Sequence, residues 1–226
     1  MTKQKCAKCI FLDAPRGVTP VANHVSEEFQ QNLEDGLKFI LHSPFTIINN
    51  ARVFATAAHG ATGQKRKYTG EPYIHHPLSV ASLVFMATGD VVTTAAALLH
   101  DVVEDTRITL PGIRSEFGDD IAGLVGSLTD VSRPDDRNRA ARKAIDRAHI
   151  AQADPRAKSI KLADLIDNTS TIVAYDREFA KVYLAEKALL LKVLEDGNRT
   201  LLAMAKKTLK NGLEALSRPI EGHAHE

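Results

Sequence analysis

The sequence has few of the features that mark secreted, membrane or nucleic-acid-binding proteins. Its 226 residues include only two cysteines, and 29 basic against 28 acidic residues leave a formal net charge of +1. Two cysteines do not make a disulfide framework, and the charge balance favours neither nucleic acid nor a membrane surface as a partner. No apolar run approaches the roughly 20 residues of a membrane span, and residues 1–14 lack the apolar core of a signal peptide. We therefore expect a cytoplasmic protein.

Cysteine is scarce and strand signals are weak. Cys6 and Cys9 have the Cys-x-x-Cys spacing of half a zinc site, but no second Cys or His pair follows nearby. We interpret them as reduced thiols on a loose N-terminal segment. No strong alternation of β-branched and polar residues occurs along the chain. These absences leave helices as the main elements of the fold.

Helical periodicity dominates the rest of the sequence. Helices are predicted over residues 26–39, 46–59, 78–86, 91–105, 110–117, 120–128, 139–153, 155–168, 178–194 and 199–209. The predicted fold class is all-α, with a single compact multi-helix domain. We expect this domain to occupy residues 46–210, between a partly flexible N-terminal extension over residues 1–45 and a C-terminal tail over residues 211–226.

The most informative stretch is the apolar run 95–99, which leads into His100-Asp101-Val102-Val103-Glu104-Asp105. As a helix continuing to Asp105, it places His100 beside Asp101 and puts Glu104 one turn later. One interpretation is an inert core histidine with carboxylates at a solvated helix end. The other is a metal centre, which is favoured because four clustered ionisable groups are costly to bury unless an ion or a partner compensates them.

Three further segments carry candidate residues. The glycine-rich loop 60–72 contains Lys65-Arg66-Lys67, which suits a phosphate clamp or stacking platform, or else a solvated charge run, and the sequence leaves both open. His76 begins the next helix beside an apolar stripe, where an imidazole ligand would be held firmly. Asp164 stands one turn after Lys161 in the predicted helix 155–168.

His76, His100-Asp101 and Asp164 come from three helices in an order that resembles the HD-domain metal-dependent phosphohydrolases. The finer resemblance is to the hydrolase domain of the RelA/SpoT alarmone enzymes, including the small alarmone hydrolases typified by the metazoan SpoT homologue. It covers residues 51–168 and rests on Gly63-Gln64-Lys65-Arg66-Lys67, Gly70-Glu71-Pro72-Tyr73-Ile74-His75-His76-Pro77, Ala96-Ala97-Leu98-Leu99-His100-Asp101-Val102-Val103-Glu104-Asp105-Thr106 and Lys161-Leu162-Ala163-Asp164. No segment resembles the nucleotide pyrophosphokinase half of the bifunctional enzymes, so a hydrolase alone is expected.

The resemblance implies metal-dependent hydrolysis of the 3′-pyrophosphate of a nucleotide alarmone, (p)ppGpp or (p)ppApp. The products would be pyrophosphate and the nucleoside di- or triphosphate, and Mn²⁺ is the ion usual in the family. By position, the metal would be held by His76, His100, Asp101 and Asp164. The catalytic pair would be Glu104 and Asp105, with the roles of acid and base left open. The substrate contacts would be Arg66, Lys67, Asn168 and Thr171.

Three positions depart from the family pattern. After Asp164 the family commonly carries a basic residue, then a His or Tyr just before the Asn, then an Arg two residues beyond it. This chain has Leu165, Asp167 and Ser170 at those places. We therefore expect an intact metal site with altered recognition of the base or phosphates. This leaves open a guanosine alarmone, an adenosine alarmone or a different 3′-phosphorylated nucleotide as the substrate.

Two other functions stay open at this point. One is an HD-domain phosphohydrolase acting on another nucleotide, such as a dNTP or a nucleoside monophosphate. The other is a non-catalytic nucleotide-sensing module, which would be expected to have lost a metal ligand or the Glu104-Asp105 pair, and none of these is lost. The sequence does not decide between a monomer and a homo-oligomer.

Overall fold

The computed structural model describes residues 27–218, and within that range the chain is built from ten α-helices. They are α1 Glu27–Leu41, α2 Thr46–Thr62, α3 His75–Thr88, α4 Val91–Leu99, α5 Val102–Asp105, α6 Leu110–Leu128, α7 Arg139–Ala151, α8 Pro155–Tyr175, α9 Arg177–Leu191 and α10 Arg199–Ser217. The only β-type pairing in this range is one isolated bridge between Lys65 and Pro72. The predicted all-α fold class is confirmed. The interpretations of Cys6, Cys9 and the last eight residues fall outside the described range.

Several helices differ from their predicted bounds. Gly60 does not end α2, which continues to Thr62 and stops at Gly63, where a left-handed backbone (φ 65°) suits a residue without a Cβ. The segments 110–117 and 120–128 are joined as α6 across a kink at Gly118 (φ 83°). α8 runs to Tyr175, seven residues beyond its predicted end at Asn168, and carries more of the site than expected.

The predicted continuous helix from residue 91 to 105 is wrong, because the chain breaks at His100 and Asp101. α4 ends at Leu99 and the short α5 begins at Val102. Asp101 has φ −97° and ψ −4°, a sparsely populated backbone region in which active-site residues are often found. The break leaves both ligand-type side chains in a turn between two helices.

The core is centred on α4, in which every residue from Thr93 to Leu99 is buried. A helix that is apolar on all sides belongs in the middle of a domain, and α4 packs against α2, α3, α6 and α8. Asp90 caps its start by accepting a hydrogen bond from the Val92 amide at 2.9 Å. His100 therefore directly follows the helix at the centre of the core.

The helix α1 packs against α3 and adds Leu33 and Ile40 to the main core. The crossing is close at Gly36, where a Cβ would lie 3.0 Å from both Met86 Cγ and Ser82 Cβ. No helix among residues 27–218 is long and apolar enough to cross a bilayer. The predicted domain limits at residues 46 and 210 stay predictions.

Candidate metal centre

Two buried imidazoles form the base of the candidate site. His76 lies in the first turn of α3 and His100 directly after α4, each 1% exposed, with ring centroids 5.2 Å apart. His100 Nδ1 donates to the Ala97 carbonyl at 2.8 Å, and His76 Nδ1 donates to Asp167 Oδ2 at 2.6 Å. Both rings therefore use Nδ1 as a donor, which leaves the lone pair on Nε2 for a ligand.

Asp101 completes a cluster of three. Its Oδ2 lies 3.1 Å from His100 Nε2 and 3.5 Å from His76 Nε2. One ligand-type atom from each of the three residues lies within 4.8 Å of the others. The Tyr73 hydroxyl donates to the same oxygen of Asp101 at 2.6 Å and orients the carboxylate. The structure thus brings together three of the four predicted metal residues.

The chemistry of the cluster fits a divalent ion. Within the described part of the chain, the Nε2 atoms of His76 and His100 are buried and have no hydrogen-bond partner. Unpaired buried polar atoms are rare in folded proteins and call for an explanation. Two imidazole nitrogens facing a carboxylate suit a divalent transition ion, and both rings have their Nδ1 atoms fixed by acceptors, as is usual for metal-bound histidines.

Asp164, the fourth predicted ligand, lies on α8 beside the cluster. Its Oδ1 is 3.4 Å from His76 Nε2, and its Oδ2 is 3.1 Å from Lys161 Nζ. Burial raises the pKa of Asp164, but the charge of Lys161 and the contact with His76 outweigh it and hold the pKa well below the usual range. Asp164 is outside the group of three whose ligand atoms all lie within 4.8 Å, so its role as a ligand stays a prediction.

The carboxylates control the charge of His76. Burial lowers the pKa of this imidazole, but the nearby Asp164 carboxylate and the hydrogen bond to Asp167 outweigh burial and raise the pKa to about 10. Burial also lowers the pKa of His100, and Asp101 reverses that effect so that the net shift is upward. A divalent ion would take over the role of these protons in balancing the carboxylates.

Glu104 and Asp105 lie in α5 but contact different parts of the structure. Glu104 Oε1 accepts from the Asp130 amide at 2.5 Å, at the end of α6. Asp105 Oδ2 accepts from Gln64 Nε2 at 2.8 Å, on the loop after α2. The two carboxylates of the predicted catalytic pair are therefore held by different segments of the chain.

The Glu104 carboxyl has a strongly shifted pKa. Glu104 is an exposed residue, but its carboxyl lies against the Asp130 amide, and the loss of solvation there raises the pKa. Lys161 lowers the pKa, while Asp130 and Asp101 raise it further, and the net value is about 7. A carboxyl that titrates near neutral pH is suited to proton transfer.

The predicted substrate residues divide into two groups. Arg66 Nη1 donates to Asn168 Oδ1 at 3.1 Å, and its Nη2 lies 3.4 Å from Thr171 Oγ1, so the loop and α8 meet at these three side chains. Asn168 Nδ2 also donates to Asp164 Oδ1 at 2.5 Å, which links the group to the centre. Lys67 is not part of it, because its side chain is 72% exposed and its Nζ lies beside Tyr68.

The three departures from the family pattern have three different environments. Leu165 is fully buried in the apolar core. Ser170 donates its hydroxyl to the Asp167 carbonyl within α8. Only Asp167 enters the site, where its carboxylate contacts both His76 and Arg66.

The sequence predicted none of three contacts that the structure places at the centre. Tyr73 holds Asp101, Gln64 holds Asp105, and Asp167 holds His76. Tyr73 and Gln64 both lie inside the motifs that carry the family resemblance, and that position was the available signal. For Asp167 the only signal was its departure from the pattern.

A small open cleft with side chains of both charges lies on the Glu104 side of the centre. Its lining includes Asp130, which binds Glu104, and Lys161, which binds Asp164. Arg147 and Lys187 add positive charge, whereas Lys143 is paired with Asp130 and Asp146. Glu186 is a further carboxylate of the lining. Burial lowers the pKa of Lys187, Asp164 opposes that effect, and the net value is about 8. The cleft suits an anionic group adjoining the metal centre.

The all-α fold and the buried His-His-Asp cluster define a helical protein with a divalent-metal centre. A family model described as an HD domain matches residues 51–197 of the chain. The chain therefore belongs to the HD-domain family, as the sequence predicted. The matched range includes all four predicted metal residues and the Glu104-Asp105 pair.

Two curated proteins are similar to this chain over about two thirds of its length. It is 38% identical over 150 residues to a guanosine-3′,5′-bis(diphosphate) 3′-pyrophosphohydrolase of Aquifex aeolicus, an alignment that covers 66% of this chain and 21% of that protein. It is 36% identical over 155 residues to a probable enzyme of the same name from Synechocystis, covering 67% of this chain and 20% of the relative. The chain thus spans about a fifth of the length of these curated relatives.

Among solved structures, the chain is similar to a metazoan orthologue of SpoT that is described as hydrolysing ppGpp and acting in starvation responses. The sequence identity is 27%, the TM-score is 0.66, and the match covers 74% of this chain and 96% of the other. The likeness therefore extends over nearly the whole of that chain.

Proposed function

We propose that this chain is a metal-dependent hydrolase that removes the 3′-pyrophosphate of a nucleotide alarmone, (p)ppGpp or (p)ppApp. The products are pyrophosphate and the nucleoside di- or triphosphate. The observation that carries the proposal is the buried cluster of His76, His100 and Asp101, with two unpaired Nε2 atoms among the described residues and Glu104 close by. The names of the relatives support the choice of reaction.

We infer that Mn²⁺ is the resident ion, held by His76, His100 and Asp101 with Asp164 as the fourth ligand. The mixed imidazole and carboxylate donors suit a borderline to hard divalent ion, so another divalent transition metal would fit the same residues. When bound, the ion supplies a water of lowered pKa and neutralises charge on the phosphorus centre. Tyr73 and Asp167 fix the orientation of two of these ligands.

The residues around the centre divide the remaining work. Glu104, with a pKa of about 7, exchanges a proton with the attacking water or with the leaving group. Asp105 is held by Gln64 on the loop side and lies next to the incoming nucleotide. Lys161 balances Asp164 and, with Lys187, presents positive charge to phosphate oxygens in the cleft.

The nucleoside end of the substrate is assigned to the region between the loop and α8. Arg66, Asn168 and Thr171 meet there and offer donors and acceptors in one cluster. A planar guanidinium held in a fixed orientation is suited to stacking on a base or binding its edge. The exposed Lys67 lies farther out and contributes charge rather than a defined contact.

The proposal is tested by incubating the Mn²⁺-loaded protein with ppGpp, ppApp and a panel of dNTPs and nucleoside monophosphates. Pyrophosphate release from at least one alarmone is expected, together with the matching nucleoside diphosphate. Release of pyrophosphate from neither alarmone would reject the proposal, and turnover confined to the other nucleotides would assign a different HD-domain phosphohydrolase. Glu104→Gln is the matched control, because it should keep the metal and lose rate.

A further inference from the structure

Asp167 connects two parts of the site that are distant in sequence. Its Oδ2 accepts from His76 Nδ1 at 2.6 Å and from Arg66 Nη2 at 3.0 Å. The side chain is only 13% exposed, and those of His76 and Arg66 are 1% and 12% exposed. One buried oxygen therefore bridges a predicted metal ligand and a predicted substrate contact.

The first consequence concerns His76. The Arg66 guanidinium is always protonated, and it pairs with Asp167 as a carboxylate, which can only accept hydrogen bonds. The proton shared with Asp167 therefore lies on His76 Nδ1, which leaves Nε2, the atom that faces Asp101 and Asp164, as the one that would bind an ion. An outer carboxylate that fixes the ring and raises its basicity is a common support of metal-bound histidines.

The second consequence concerns the loop between α2 and α3. The loop contacts the centre at three points, through Gln64 to Asp105, through Tyr73 to Asp101 and through Arg66 to α8. Arg66 is the member of this set that joins the loop to the helix carrying Asp164. Because Asp167 binds both Arg66 and His76, a change at Arg66 reaches His76 through a single carboxylate.

We propose that Asp167 is a positioning residue that holds His76 as an Nε2 ligand and ties the Arg66 loop to the metal centre. It is one of the three positions that depart from the common family pattern. The inference rests on the metal site of the proposed function, but it does not depend on which nucleotide is hydrolysed.

The test measures Mn²⁺ affinity by calorimetric titration of the full chain and its variants, without any substrate. Asp167→Ala should weaken Mn²⁺ binding by about 10- to 100-fold, the usual effect of losing an outer partner of a metal ligand. Asp167→Asn keeps the size and one acceptor atom, and it should weaken binding by a smaller factor. This second variant guards against a loss of folding in Asp167→Ala.

The matched control is Asp90→Ala, which removes a partly buried carboxylate at the opposite end of α4 from His100. Asp90 accepts from Val92 and Thr93 and caps that helix, so its loss should lower the melting temperature without changing Mn²⁺ affinity. Equal losses of affinity in the Asp90 and Asp167 variants would overturn the proposal, because the effect would then follow stability alone.

Amide hydrogen exchange in the loop provides a second measurement that needs no metal. The Arg66 amide donates to the Glu71 carbonyl and the Tyr73 amide to the Gln64 carbonyl. Both amides should exchange faster in Asp167→Ala and in Arg66→Ala, and at the wild-type rate in Asp90→Ala. Unchanged exchange in the first two variants would overturn the tie between the loop and α8.

The outcomes separate this inference from the proposed function. Wild-type protein that binds Mn²⁺ but hydrolyses no alarmone rejects the proposed substrate and leaves the Asp167 measurements valid. Wild-type affinity retained in folded Asp167→Ala rejects the positioning role and leaves alarmone hydrolysis unaffected. Wild-type protein that binds no Mn²⁺ rejects the metal site in both proposals.

Discussion

Binding of Mn²⁺ should stabilise the folded chain by an amount that depends on Asp101. An ion that binds only the folded state stabilises it by about 2.7 kcal/mol at 100 times its dissociation constant. For a domain of this size, each kcal/mol moves the melting temperature by roughly 2–4 °C, so the expected upward shift is about 5–11 °C. The unpaired Nε2 atoms of His76 and His100 within the described range are the structural reason, because the ion satisfies both.

Asp101→Ala should abolish most of this shift. The substitution removes the carboxylate that lies 3.1 and 3.5 Å from the two Nε2 atoms and leaves only imidazole ligands in the cluster. It also leaves the Tyr73 hydroxyl without its acceptor, which costs about 1–3 kcal/mol if no water replaces it and lowers the metal-free melting temperature.

The assay is differential scanning calorimetry with and without Mn²⁺ at 100 times the measured dissociation constant. Asp105→Asn is the control, because Asp105 binds Gln64 rather than the cluster and the full shift should persist. A wild-type shift that survives unchanged in Asp101→Ala would refute the assignment of Asp101 as a ligand. Equal melting temperatures with and without the ion in wild-type protein would refute the metal centre itself.

Three further predictions concern the proton-transfer group, the loop and the α1 crossing. Glu104→Gln should keep Mn²⁺ and lose the limb near pH 7 of the pH–rate profile. Because the folded state raises the Glu104 pKa from 4.5 to about 7, the free energy of unfolding should fall as the pH rises through that window. Denaturation measured at several pH values should show a smaller fall in the variant. Arg66→Ala should raise KM by about 10-fold or more and Lys67→Ala by less than about 3-fold, since only Arg66 is held in the site; equal effects in steady-state assays would contradict this. Gly36→Ala should cost about 1–3 kcal/mol in urea denaturation, because its Cβ would meet Met86, and an unchanged midpoint would contradict the close crossing.

The parts of the structure that depend on local pattern were predictable. The spacing of apolar residues predicted the helices, because helix formation depends on short segments of sequence. The motif around His100 predicted the position of the centre, because its candidate ligands are adjacent in the sequence. The stop at Gly60 was predicted too early, since a glycine can continue a helix and only Gly63 adopts the left-handed conformation that ends α2.

The parts that depend on contacts between distant segments were not predictable. The break after Leu99 lies where Asp101 contacts Tyr73, which is 28 positions earlier in the chain. The effect of Asp167 on substrate recognition stays a prediction, but its contact with a histidine that lies 91 positions away in the chain was not predicted. A single sequence contains no signal for a pairing of that length.

The long helix α8 sets the spacing of the residues along the site. Lys161, Asp164, Asn168 and Thr171 follow one another at steps of three or four residues, so they share a face of α8. At 1.5 Å per residue, the first and last of them are about 15 Å apart along the axis, which is the scale of a nucleotide with its phosphates. One residue inserted between Asp164 and Asn168 would turn the distal half of this face by about 100° and separate the phosphate end of the site from the base end. The helix therefore fixes the spacing of these four residues together, and a substitution at one of them can change substrate recognition without changing that spacing.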